Sequence, residues 1–171
     1  MSSGRAFVFG EDIDTDVLAP GVYMKGPVEV LAQHCLESVD PHFARTVRPG
    51  DVVVAGRNFG IGSSREQAAQ ALKLLGVAAV VAKSFGGIFH RNALNLGLVA
   101  VTCPEAHRVK AGDRVEVDAR RGLVKNETRG EILAAEALPE FLLEMLAAGG
   151  LVPNLEKRLA ARRSEAGRAK R

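Results

Sequence analysis

Between residues 48 and 102, short apolar segments alternate with helical segments. The apolar segments cover residues 52–55, 77–82 and 98–102, and none of them contains a charged side chain. Residues 64–75 repeat small and apolar side chains every three or four positions, which predicts a helix, and residues 87–96 form a second one. Strands that are apolar on both faces are typical of a parallel sheet covered on both sides. The alternation therefore predicts an α/β fold with a central, largely parallel sheet and flanking helices.

The segments on either side of this unit follow different patterns. We predict a strand at residues 5–9, a long loop rich in Asp, Pro and Gly at 11–27, and short helices at 28–33 and 41–45. Beyond Pro104, polar alternation around the Arg121-Gly122 turn predicts an antiparallel hairpin, and residues 138–147 form an amphipathic helix. A loop as long as 11–27 is usually functional or disordered.

Positive charge is concentrated at the end of the chain. The 171 residues carry a net charge of +3, but residues 156–171 hold seven Lys or Arg and two Glu, so residues 1–155 have a net charge of −2. We therefore predict one domain at residues 1–153 and a flexible basic tail at 154–171. Two interpretations of the tail remain open. Its cations are simply solvated, or they contact nucleic acid or an acidic partner, and those cations include Arg162, Arg163, Arg168, Lys170 and Arg171.

The cysteine content limits the metal chemistry of this chain. Cys35 and Cys103 lie 68 positions apart, with no CxxC motif and no Cys/His cluster. Two such thiols cannot supply the three or four ligands of an iron–sulfur cluster, so we expect no metal ligands in this chain. The absence of a signal peptide or an 18-residue apolar run predicts a cytoplasmic, reducing setting.

The segment most informative about function is the glycine-rich turn Gly-Arg-Asn-Phe-Gly-Ile-Gly-Ser-Ser-Arg-Glu at residues 56–66. It joins a buried strand to a helix. One interpretation is purely structural, with Ser63 or Ser64 capping the helix and Glu66 completing a near capping box. The other is an anion site, because a helix N-terminus favours negative charge. Arg65 is a cation in the first turn of the predicted helix, where the helix dipole favours acidic residues. An anionic ligand bound by its guanidinium would explain why an arginine stands there.

Several ordered motifs resemble the swivelling domain of the aconitase superfamily. They are the Gly-Ser-Ser-Arg-Glu run at 62–66, Lys83-Ser84-Phe85, Arg91-Asn92 and Gly97-Leu98. The early Asp14-Thr15-Asp16 is similar to a stretch of isopropylmalate dehydratase small subunits. The resemblance covers about residues 5–104. It implies a swivelling β/β/α domain that closes over a large subunit.

The resemblance also implies roles for individual residues. Ser63 corresponds to the catalytic base that removes a proton from the carbon next to a carboxylate, and Asp16 to an active-site acid. Ser64, Arg65 and Thr15 are implied to contact the substrate. A serine hydroxyl acts as a strong base only if its alkoxide is stabilised, which nearby N–H donors and a guanidinium provide. Lys25 lies where related enzymes recognise the distal part of the substrate. It either pairs with a second carboxylate or stays solvated.

The resemblance places the cofactor in a partner. A large subunit would carry a [4Fe–4S] cluster. This chain would form a heterodimer or heterotetramer with that subunit. The complex would dehydrate or isomerise a 2-hydroxy dicarboxylic acid, foremost 2-isopropylmalate. Homoaconitase-type and 2,3-dimethylmalate dehydratases are alternatives within the same chemistry. A non-catalytic anion-binding module and a basic-tailed nucleic-acid binder are alternatives outside it. We expect no membrane partner, and low aromatic content disfavours nucleic acid.

Overall fold

A computed structural model of the protein describes the backbone of residues 3–169 and the side chains of residues 3–165. Within this part of the chain the strands are β1 (Gly4–Val8), β2 (Val52–Ala55), β3 (Ala79–Ala82), β4 (Val99–Thr102), β5 (Arg114–Asp118), β6 (Leu123–Asn126) and β7 (Glu131–Ala134). The α-helices are α1 (Thr15–Leu18), α2 (Val28–Ala32), α3 (Phe43–Thr46), α4 (Gln67–Leu74), α5 (Gly87–Asn95), α6 (Glu140–Ala147) and α7 (Leu151–Ala169). Short 3-10 helices cover Gly21–Tyr23 and Ala106–Arg108.

The seven strands form one mixed sheet in the order β4-β3-β2-β1-β5-β6-β7. Strands β1 to β4 are parallel, and β5, β6 and β7 continue the sheet in antiparallel pairs. The predicted α/β class and the parallel order of the apolar strands are confirmed. The predicted helices at residues 64–75 and 87–96 pack on one face of the parallel strands. The antiparallel strands of the same sheet pack on the opposite face and so form a second β layer.

Each face of the parallel strands is buried against a different layer. Val53 and Val80 pack with residues of α2, α4 and α5, which cover one face of the sheet. Val54 and Val81 point to the other face and pack against Val115, together with Val124, Leu133 and Met145 from β6, β7 and α6. This β/β/α layering explains why the central segments are apolar throughout, since neither face meets water.

The start of α4 differs from the prediction. The helix begins at Gln67, and its N-cap residue Glu66 has helical backbone angles and no side-chain capping bond. The predicted cap at Ser63 or Ser64 is therefore wrong. Gly62 has φ +110° and the Ser63 amide donates to the Thr15 hydroxyl, so the segment leaves the helix axis and turns towards the chain after β1.

Other differences lie outside the parallel unit. The predicted loop 11–27 contains α1 and a 3-10 helix, and β7 follows the predicted hairpin as a third antiparallel strand. Residues 151–169 are helical, so the predicted division between 153 and 154 falls inside α7. Lys170, Arg171 and the side chain of Arg168 lie outside the described residues. None of the described helices is long and apolar enough to cross a membrane.

Candidate active site

The chain segments after β1 and β2 lie side by side at the carboxyl ends of these neighbouring parallel strands. The Gly60 amide donates to the Ile13 carbonyl at 2.7 Å, and the Thr15 amide donates to the Ile61 carbonyl at 2.8 Å. Carboxyl ends of parallel strands are where α/β folds usually bind ligands. The Asp14–Asp16 segment and the Ser63–Arg65 segment, 49 positions apart in sequence, therefore form one surface.

Ser63 is held by Thr15. The Ser63 amide donates to Thr15 Oγ1 at 3.0 Å, and the two hydroxyl oxygens are also 3.0 Å apart. Thr15 is only 2% exposed, whereas Ser63 is exposed. One hydroxyl thus lies inside the protein and fixes a second hydroxyl that faces outwards.

Two glycines make this close approach possible. Gly60 has φ +77°, and a Cβ atom there would lie 2.2 Å from Cγ of the buried Phe89. Gly62 has φ +110°, and its Cβ would lie 3.0 Å from Thr15 Oγ1. Only glycine combines a left-handed backbone with the absence of a side chain that would push the turn away.

Arg65 and Asp16 form the charged part of the surface. Arg65 Nη1 lies 2.5 Å from Asp16 Oδ1 and also donates to the Ala19 carbonyl at 2.8 Å. The Arg65 side chain is 21% exposed and the Asp16 side chain 71% exposed. The guanidinium is thus anchored on the backbone of the loop after β1, while the carboxylate it pairs with is mostly exposed to solvent.

Ser64 is exposed beside a shallow cleft. Its carbonyl accepts a hydrogen bond from Asn92 Nδ2 at 3.3 Å. The cleft, of about 230 Å³, is lined by Gly60–Ser63 and by Gly86, Gly87 and Ile88 at the start of α5. Asn92 has no role in the predictions above, although it lies in one of the motifs. Its place in the Arg91-Asn92 motif, within a helix that lies beside the glycine-rich turn, is the one sequence signal that could have indicated this contact.

Lys25 is not brought into contact with these residues. Its side chain is exposed and makes no ion pair or hydrogen bond with another described side chain. The neighbouring Tyr23 ring stacks on the His34 ring with centroids 3.7 Å apart, and His34 Nδ1 lies 2.6 Å from Glu37 Oε2. The stack anchors the start of segment 23–26, and Lys25 in that segment is exposed. Its proposed substrate contact therefore remains a prediction.

The described residues do not fit an iron–sulfur cluster. Among them, no group of three or more His, Cys, Asp or Glu side chains is placed to hold a metal ion. Cys35 and Cys103 are free thiols in separate parts of the core, 1% and 0% exposed. Burial raises the pKa of both thiols, which disfavours the thiolate form that binds metals.

The surface combines groups suited to proton abstraction beside a carboxylate. Ser63 presents an oriented hydroxyl, Arg65 a partly buried guanidinium, and Asp16 an exposed carboxylate, all within one small region. A guanidinium anchored by one nitrogen still has donors for a substrate carboxylate. The arrangement places an exposed hydroxyl and a guanidinium on one surface, where a carboxylate ligand could meet both.

Known proteins resemble this chain over almost its full length. Residues 29–106 match the family described as Aconitase C-terminal domain. The chain is 50% identical over 159 residues to the 3-isopropylmalate dehydratase small subunit of Moorella thermoacetica, covering 91% of this chain and 95% of that relative. It is 46% identical over 159 residues to the isopropylmalate/citramalate isomerase small subunit of Methanocaldococcus jannaschii, covering 92% and 95% respectively. The crystal structure of a 3-isopropylmalate dehydratase from the same organism shares its fold with a TM-score of 0.90 at 43% identity, over 95% of this chain and 98% of that one.

Proposed function

The chain belongs to the family of 3-isopropylmalate dehydratase small subunits, and from that premise we propose that Ser63, Arg65 and Asp16 form its share of an active site completed by a large subunit. The reaction is that of an aconitase-type hydro-lyase. It removes water from 2-isopropylmalate and returns it with the hydroxyl on the neighbouring carbon, which gives 3-isopropylmalate, an intermediate of leucine biosynthesis. This chain alone is inactive.

The observation that supports this function best is the contact between the Asp14–Asp16 and Ser63–Arg65 segments. Ser63 Oγ takes the proton from the carbon next to a substrate carboxylate. Arg65 binds that carboxylate with the donors that Ala19 leaves free, and Ser64 adds a hydroxyl donor. Asp16, which pairs with Arg65 in the free chain, is displaced by the substrate carboxylate, and once it has taken up a proton it can act as the acid. General acid–base groups placed in this way typically contribute 10²- to 10⁴-fold to the rate.

The remaining chemistry belongs to the large subunit. A [4Fe–4S] cluster bound there would supply Lewis acidity for the departing hydroxyl. This chain contributes the base, the carboxylate clamp and a surface that closes over the substrate and excludes water. We propose a heterodimer, or a heterotetramer built from two of them, in a cytoplasmic setting. Residues 1–153 form the swivelling domain, and the basic residues beyond them are not needed for catalysis.

Replacement of Ser63 tests the proposal. Ser63→Ala in the reconstituted, anaerobic two-subunit enzyme is expected to lower kcat by roughly 10²- to 10⁴-fold, because the base is lost. The variant should still assemble with the large subunit, as measured by size-exclusion chromatography. Ser164→Ala is the matched control, since Ser164 is exposed on α7 and its hydroxyl donates to the Ala161 carbonyl in the preceding turn of the helix. Unchanged turnover by Ser63→Ala would refute the assignment.

The choice of substrate depends on Lys25. If its ammonium pairs with a distal carboxylate, a homoaconitase-type substrate becomes favoured over 2-isopropylmalate. If it stays solvated, 2-isopropylmalate or 2,3-dimethylmalate is favoured, because the distal part of the substrate is then an alkyl group. Turnover of the three hydroxy acids by the complex, with native Lys25 and with Lys25→Met, distinguishes these cases. A non-catalytic anion-binding module would instead bind substrate without any large subunit.

A further inference from the structure

We propose that Thr15 is a positioning residue for Ser63, whose hydroxyl it holds and whose alkoxide it stabilises, and that it does not bind the substrate itself. The inference rests on the proposed function, in which Ser63 is the base. It assigns to this chain the hydrogen-bond donor that a serine base requires. The supporting observation is the pair of hydrogen bonds between the two residues.

Thr15 is fixed from several sides. Its amide donates to the Ile61 carbonyl at 2.8 Å, and its carbonyl accepts from the Ala19 amide at 2.9 Å at the end of α1. Asp14 caps that helix by accepting a bond from the Val17 amide at 2.9 Å. The Thr15 hydroxyl therefore sits on a short helix joined to the turn it faces. A donor held in this way need not reorganise when charge develops nearby.

The direction of the hydroxyl–hydroxyl bond follows from the available partners. Thr15 Oγ1 already accepts the Ser63 amide hydrogen, so its own hydrogen needs an acceptor. Ser63 Oγ, 3.0 Å away, is the only acceptor within hydrogen-bond distance among the described residues. Thr15 is 2% exposed, and a buried hydroxyl hydrogen without an acceptor is unfavourable. Thr15 therefore donates and Ser63 Oγ accepts.

This direction matters for the chemistry. Because Ser63 Oγ accepts from Thr15, the hydrogen of Ser63 points to its exposed side, where a carboxylate such as that of Asp16, once released from Arg65, takes it up as a proton. Once that hydrogen has left, the Thr15 bond remains and strengthens, since hydrogen bonds to charged acceptors are the stronger ones. A neutral Ser63 gains less from the same bond. The bond therefore favours the alkoxide, which is the reactive form.

The burial of Thr15 argues against a direct contact with substrate. Its oxygen is already engaged twice by Ser63, and little of its surface reaches solvent. Gly62 passes directly over it, since a Cβ atom there would lie 3.0 Å from the Thr15 hydroxyl oxygen. The substrate thus meets Ser63 and the backbone of the turn before it could reach Thr15.

The test compares Thr15→Val with Thr15→Ser in the two-subunit enzyme. Valine keeps the shape of the threonine side chain and loses its hydroxyl. We therefore expect kcat to fall roughly 100-fold, the effect typical of removing one hydrogen-bond donor from an oxyanion hole, while KM changes little. Serine keeps the donor and should restore most of kcat. With substrate deuterated at the carbon that loses the proton, Thr15→Val should show a larger primary isotope effect on kcat than the native enzyme, because proton abstraction has become slower.

Several outcomes would overturn the inference. A Thr15→Val enzyme with native kcat, or with a raised KM alone, would mean that the hydroxyl does not act through Ser63. A lower kcat with an unchanged isotope effect would indicate a smaller folded fraction and a purely structural role. If Thr15→Val does not assemble, Thr15→Cys, a weak donor, should give a kcat below that of Thr15→Ser, and equal values would refute the idea. An inactive Ser63→Ala with a fully active Thr15→Val would refute only the role of Thr15, whereas an active Ser63→Ala would refute the proposed function.

Discussion

Asp113 has a buried carboxylate at the start of the antiparallel half of the sheet, where its backbone carbonyl pairs with β1. It is 4% exposed, and its Oδ2 accepts from Asn126 Nδ2 and from Arg129 Nε, both at 2.7 Å, and from the Lys110 amide at 2.9 Å. Its own carbonyl accepts from the Ala6 amide of β1 at 2.8 Å. Asp113→Asn replaces the ionised acceptor by a neutral amide of similar shape.

The pKa of Asp113 gives the size of the effect. Burial by itself would raise this pKa, but the hydrogen bonds from Arg129, Lys110 and Asn126 outweigh burial and lower it from 3.8 to about 2. A difference of this size corresponds to roughly 2.5 kcal/mol of stability. Because the pKa is lower in the folded state, the stabilisation is complete above about pH 5 and is lost as pH falls through about 2.

Urea unfolding across pH provides the assay. At neutral pH, the free energy of unfolding of Asp113→Asn should be about 2–4 kcal/mol lower than that of the native chain, since Arg129 also loses its charged partner. The gap between the two proteins should shrink by roughly 2 kcal/mol between pH 5 and pH 2. Glu136→Gln, the same loss of charge at an exposed side chain, should show little gap at any pH. A gap for Asp113→Asn that stays constant with pH would refute the reasoning.

Two further predictions concern the site. Arg65→Lys should raise KM for the hydroxy acid roughly 10- to 100-fold with a smaller change in kcat, because an ammonium cannot both hold the Ala19 carbonyl and bind a carboxylate in two places. Steady-state kinetics of the two-subunit complex measure this change. A native KM would contradict the binding of the substrate carboxylate by Arg65. Gly60→Ala should lower the free energy of unfolding by about 2–4 kcal/mol, since its Cβ would clash with the Phe89 ring at a left-handed backbone position. Gly10→Ala, with nothing near its added Cβ, is the control, and equal stability of the two variants would show that the turn has room to relax.

Local patterns in the sequence were sufficient to predict the strands and helices of the parallel half of the fold. The three apolar runs and the two helices between them became β2, α4, β3, α5 and β4 in that order. This succeeds because strands buried on both faces need uninterrupted apolar side chains, and because Gly76 and Gly97 end their helices with positive φ. The glycine-rich turn and its Ser-Ser-Arg run were also identifiable from sequence as a candidate anion site.

Other features depended on contacts between distant residues. The start of α4 was misplaced because serine before a helical run usually indicates a cap, whereas here the Ser63 amide is taken by Thr15. Strand β7 was missed because its four residues, Glu131–Ala134, show no alternation of apolar and polar side chains. Asn92 holds the Ser64 carbonyl across 28 positions, which no local pattern encodes.

The sequence by itself determined the strand–helix alternation and indicated the glycine-rich turn as a candidate anion site, because both depend on residue type and short-range spacing. Only the tertiary structure decided which of these residues meet. It placed Thr15 under Ser63 and Asp16 on Arg65, and it left Lys25 in solvent. The reason is that adjacent parallel strands bring together segments separated by about fifty residues, and the pairing of their loops depends on backbone geometry rather than on either sequence alone.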